Sequence, residues 1–129
     1  MNILFLHAHD MGRYNSAYGH AAPTPNILNM AREGMLFRQA YCAGPTCPPS
    51  RAAMLTGETA HQAGVLGLIN RGFDLGDRSK PLARHLSAHG YETILTGLQH
   101  ECDERHSGDI YSRILKTDAP SPGTGPFET

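Results

Sequence analysis

The segment Cys47-Pro48-Pro49-Ser50-Arg51-Ala52-Ala53-Met54-Leu55-Thr56-Gly57 holds the residue types with the clearest chemical use in the chain. A cysteine just before a proline-started helix has its sulfur near the positive end of the helix dipole, where backbone N–H groups can receive an anion. Arg51 adds a permanent cation in the first turn. Asp10, preceded by His9, follows a short apolar run and could hold a metal that neutralises further charge. Read from residue types alone, this is a nucleophile at an anion-binding helix N-terminus.

Such groups need elements to place them. Residues 2–7 read as a buried strand leading into His9-Asp10-Met11-Gly12, and in open α/β sheets ligands collect outside the carboxyl ends of strands. Residues 11–24 read as a loop. Thr24-Pro25 then opens a helix with Ile27, Met30 and Ala31 on one face, closed by Gly34. Residues 35–41 read as a second strand, 42–49 as an irregular approach, and 50–56 as a helix ended by Gly57. A Gly-rich loop over 57–80, with one short element near 65–69, precedes an amphipathic helix over 81–89 with Leu82 and Leu86 on one face. Residues 91–96 read as a strand, and Gly97-Leu98-Gln99-His100-Glu101 lies just past its end. The order β, α, β, α, α, β predicts an α/β architecture, without internal repeats.

Composition sets the outer bounds. The chain has 129 residues, 40% hydrophobic and 18% charged, which suits one soluble domain or part of one. Eleven basic against twelve acidic residues leave no positive excess for nucleic acid or an anionic membrane surface. No stretch approaches the roughly 20 apolar residues that cross a bilayer, and the N-terminus carries no basic region or cleavage site; the expectation is a cytoplasmic chain. Three cysteines make no disulfide framework. Fourteen Gly and nine Pro beside a single Val and no Trp leave few core-forming residues, and the Pro/Gly-rich end reads as loop or linker, so a larger fold is expected to continue past it.

Cys47-Pro48-Pro49-Ser50-Arg51 resembles the C-x-P-S-R signature of type I, formylglycine-dependent sulfatases, and residues 52–57 match that family's A-x-L-T-G continuation. Three flanking stretches agree in order and spacing: a first strand ending at Asp10, Thr24-Pro25-Asn26 opening a helix that ends Glu33-Gly34, and a strand ending at Gly97 with His100 three positions on. The resemblance implies an alkaline-phosphatase-like α/β sandwich with a mostly parallel sheet, present as its N-terminal part, with 1–117 belonging to the catalytic domain and 118–129 a loop leading onward. It implies that a formylglycine-generating enzyme, reading Cys47, Pro49, Ser50 and Arg51, oxidises Cys47 to an aldehyde that hydrates to a gem-diol. One hydroxyl attacks sulfur and the second expels sulfate by re-forming the aldehyde. A divalent metal, usually calcium, activates the attacking oxygen. By motif match Asp10 and the modified Cys47 are metal ligands, Arg51 steadies the gem-diol, and His100 handles a proton. The substrates implied are sulfate esters or sulfamates, chiefly of carbohydrates.

The chain also departs from the family pattern. Two adjacent Asp usually end the first strand, whereas here it is His9-Asp10, which leaves His9 as a substituted ligand, as an outer group, or as a hint of another metal. Leu98 stands where the family usually has a sulfate-contacting Lys. The family's remaining metal ligands lie beyond the matching stretch, so the 129-residue chain is expected to bind metal poorly. Two alternatives accompany the sulfatase reading: a phosphonate or phosphodiester hydrolase of the same superfamily, and a non-catalytic remnant. Cys42 and Cys102 fall on no motif position, His61 is read as packing its loop, and His7, His20, His85, His89 and His106 are read as surface or core-satisfied residues.

Overall fold

The computed structural model describes residues 1–115, so the Pro/Gly-rich stretch 118–129 lies outside the described residues. Residues 1–41 form one compact unit and the residues from Cys42 onward a second.

In the first unit the predicted helix is present as α1 (Pro25–Glu33), with Pro at its start and Gly34 at its end. Thr24 precedes it but does not cap its amides. Its hydroxyl instead accepts the Ser16 N–H at 2.9 Å and lies 2.7 Å from the Ser16 hydroxyl, tying α1 to a 3-10 turn at Ser16–Tyr18. The expected apolar face of α1 is not buried: Ile27 and Ala31 are half-covered, and Met30 is exposed. The strands expected at 2–7 and 35–41 are absent. A strand needs a neighbour for its backbone N–H and C=O groups and an apolar layer for its side chains. Neither run is paired here, and Leu4, Leu6, Met35 and Phe37 are exposed.

The second unit is built around α2 (Cys47–Thr56). It begins three residues before the expected Ser50, because prolines at 48 and 49 are tolerated in a first turn whose N–H groups have no intrahelical acceptor. Gly57, with φ 72°, closes it by donating its N–H to the Ala53 carbonyl. The stretch expected to be loop contains α3 (Ala60–Ala63), held by a reciprocal box in which Thr59 accepts the Gln62 N–H and the Gln62 side chain accepts the Thr59 N–H. Residues 65–68 form no helix or strand, and a 3-10 turn at Ile69–Arg71 overlaps the short element expected near 65–69 only at Ile69. The helix expected over 81–89 is α4 (Leu82–Ala88).

The strand expected over 91–96 shortens to β1 (Ile94–Thr96), which pairs in parallel with β2 (Arg113–Leu115), Ile94 opposite Arg113 and Thr96 opposite Leu115. Parallel strands need a crossover, and here it carries a 3-10 turn at Glu104–His106 and α5 (Ser107–Ile110). The core gathers Ala52, Ala63, Val65, Leu75, Cys102 and Ile110, with Ile69, Ala83 and Tyr111 packed against it. A small parallel sheet with helices is consistent with the α/β class. No helix among the described residues is long and apolar enough to cross a membrane.

Candidate functional site

Cys47 is the first residue of α2 and is half-buried. Arg51 follows one turn later, so the two side chains lie on the same face of the helix. Pro48 and Pro49 have no N–H, so two of the four amides that usually make a helix N-terminus attractive to anions are missing. The Ser50 amide already bonds the Thr46 carbonyl at 3.1 Å. The expected set of backbone donors is therefore reduced to the Thr46 and Cys47 amides, beside the Arg51 side chain one turn on.

Arg51 is 7% exposed and donates from Nη1 to the Leu98 carbonyl at 3.3 Å. This bond joins α2 to the loop after β1, bringing together two stretches 47 positions apart in sequence. Gly97, with φ 82°, turns the chain out of β1 into that loop. The Gln99 side chain then closes it, donating to the Cys102 carbonyl at 2.9 Å and accepting the Cys102 amide at 3.2 Å. His100 sits between, half-buried, its amide donating to the Glu101 carboxylate at 3.1 Å. Past the loop, Asp74 accepts the Asp103 amide at 3.2 Å and pairs with Arg78 at 2.6 Å. A motif helix with a buried cation and a pinned histidine loop are thus held in one unit.

The comparisons decide the family. The sulfatase family model matches residues 1–116. The chain belongs to the sulfatase family. Human N-sulphoglucosamine sulphohydrolase is 38% identical over 102 residues, covering 77% of this chain and 20% of that protein. Klebsiella aerogenes arylsulfatase is 34% identical over 109 residues, covering 77% and 23%. Pig N-acetylgalactosamine-6-sulfatase is 49% identical over 65 residues, covering 49% and 12%. The chain therefore spans about a fifth, or less, of the length of these relatives. No solved structure matches it.

Sulfatases in general imply a divalent metal, and the donor set of this chain can be compared with one. His9 and Asp10 belong to the first unit, where His9 Nε2 lies 3.5 Å from Asp10 Oδ2. Asp10 has φ 53°, and its carboxylate is 79% exposed. Among the described residues no group of three His, Cys, Asp or Glu side chains is arranged to hold a metal ion. Calcium takes about six to eight oxygens. One imidazole and one carboxylate do not fit that shell.

Sequence reasoning singled out Cys47, Arg51 and His100 in the second unit and passed over the groups that brace them: Gln99, Glu101 and Tyr111. Glu101 is visible in sequence as an acid beside His100, but nothing in a single chain says that it is buried. Tyr111 falls in a stretch without an expected element. His61, read as packing its loop, is instead exposed on α3 and lines a hollow of about 530 Å³ beside Thr46 and Pro49.

Proposed function

We propose that this chain is the N-terminal part of a sulfatase catalytic domain that hydrolyses sulfate esters or sulfamates of carbohydrates, with Cys47 as the precursor of a formylglycine nucleophile. The observation that carries the reading is the hydrogen bond from Arg51 to the Leu98 carbonyl, which fixes a buried cation one helical turn from Cys47 and ties it to the loop bearing His100. The names of the relatives support sulfated sugars as the substrate class. When formed, the hydrated aldehyde at position 47 supplies a hydroxyl for attack on sulfur.

The chain's own residues supply the rest. Burial of Arg51 strengthens the pull of its guanidinium on an anionic sulfate group. With two amides of the first turn lost to proline, this side chain acts beside the remaining Thr46 and Cys47 amides to attract the anion. In this reading His100 takes up and returns the proton of the reaction. Leu98, where the family usually has Lys, uses its carbonyl to hold Arg51. Asp10, with His9, would offer one hard oxygen to a metal, and the described residues do not complete its shell. Pro49, Ser50 and Arg51 form the modification motif beside Cys47, to be read by a formylglycine-generating enzyme.

The reading is tested by co-expressing the chain with a formylglycine-generating enzyme and mapping the peptide that spans Cys47. The expected result is an aldehyde that couples to a hydrazide probe and is absent from Cys47→Ala. An intact thiol, under conditions that convert a control motif, overturns the assignment.

A further inference from the structure

One buried carboxylate of the site has no part in the chemistry above. Glu101 is 1% exposed. Its Oε1 accepts the Tyr111 hydroxyl at 2.5 Å and its Oε2 accepts the His100 amide at 3.1 Å. A buried carboxylate is tolerated when its oxygens are hydrogen-bonded, and here each oxygen has a donor. Tyr111 packs against the core, so the phenol is a firm anchor. Burial, and then the Glu101 charge, raise the Tyr111 pKa well above the ordinary tyrosine range, in keeping with a hydroxyl that donates to the carboxylate. The backbone held in this way carries the Leu98 carbonyl that receives Arg51 two residues before His100.

We propose that Glu101 is a positioning residue for the reaction: its carboxylate, braced by Tyr111, holds the 98–101 backbone so that Arg51 and His100 keep a fixed mutual placement. This rests on the sulfatase reading of Arg51 and His100. The role belongs to hydrogen bonds rather than to net charge. In Glu101→Gln the amide oxygen accepts the His100 N–H while the NH₂ group donates to the Tyr111 oxygen, so both bonds survive. Glu101→Leu keeps much of the volume and loses both.

Two measurements test the proposal separately from the function it rests on. In the ¹⁵N-labelled 129-residue chain, the His100 amide proton is expected downfield and slow to exchange in the parent and in Glu101→Gln, and shifted upfield in Glu101→Leu. An unchanged His100 signal in the Leu variant overturns the contact. In the whole protein carrying the aldehyde at position 47, steady-state cleavage of an aryl sulfate gives the second readout. Because small misplacements of catalytic groups cost large factors in rate, Glu101→Leu is expected to lower kcat at least about tenfold with KM within about twofold. Glu101→Gln is expected to stay within about threefold of the parent, and Tyr111→Phe, which loses one brace, to fall between the two. A Leu variant with the parent kcat, or a Gln variant as slow as the Leu variant, overturns the proposal. Where Glu101→Leu does not fold, Tyr111→Phe decides, and a parent-like kcat there overturns it. A parent that bears the aldehyde and cleaves no sulfate ester overturns the sulfatase reading instead, while the amide signal still reports on the Glu101 contact.

Discussion

At the scale of single residues, the three cysteines show how surroundings sort one side-chain type into different roles. Cys47 sits half-buried at a helix start, Cys42 is exposed, and Cys102 is 2% exposed within the core. Burial, with the nearby Glu101 and Asp74 charges, pushes the Cys102 thiol up to about 12. Native Cys102 is therefore protonated where an unfolded cysteine has begun to ionise, and the folded state holds the extra proton. Stability from this group is fully present below about pH 9 and is lost as pH rises towards 12. Tyr111, also raised, acts in the same direction at higher pH. The expected outcome is a urea midpoint that falls between pH 8 and pH 10, and falls less in Cys102→Ala; equal slopes in the two proteins would refute the assignment. Cys47 stands out in sequence as a candidate because it lies in a continuous motif that resembles the sulfatase signature, whereas the state of Cys102 depends on Glu101, Asp74 and the surrounding core.

At the scale of elements, local rules account for the helices well. α1 and α4 fall where Pro and Gly punctuate the apolar pattern, and α2 ends at the expected glycine. Gly57 is in the left-handed region at φ 72°, and a Cβ there meets nothing within 4 Å. Gly57→Ala is therefore expected to cost about 1 kcal/mol by backbone conformation alone, without a packing penalty. Urea denaturation checks this, and a loss several times larger would point to a contact at the helix end. The early start of α2 and the existence of α3 follow equally local chemistry, prolines in a first turn and a Thr59–Gln62 box, and so were legible in principle. Of the strands, the one expected over 91–96 was legible, as β1, and the others were not. Apolar runs at 2–7 and 35–41 have strand-like composition, but a strand exists only with a hydrogen-bonding neighbour, and the run at 94–96 found one at 113–115. No property of residues 113–115 read alone names that partner.

At the scale of the whole molecule, the metal question and the site question separate. Among the described residues Asp10 and His9 offer one carboxylate and one imidazole, far from the oxygen-rich shell calcium prefers. Titration calorimetry on the 129-residue chain is expected to detect no calcium binding tighter than about 1 mM, with Asp10→Ala indistinguishable from the parent; micromolar affinity would show a shell assembled in some other way. The chain spans about a fifth of relatives such as the human sulphohydrolase, and that figure frames any comparison of metal affinity with theirs. Family membership, and Cys47, Arg51 and His100 as candidates for the site, could be read from the sequence by itself, because a motif and its punctuation are local in the chain. Only the tertiary structure decided that Arg51 is buried against the Leu98 carbonyl and that Glu101 and Tyr111 brace the histidine loop. Burial and hydrogen-bond partnership are set by residues distant in sequence, and only the folded chain brings them within bonding distance.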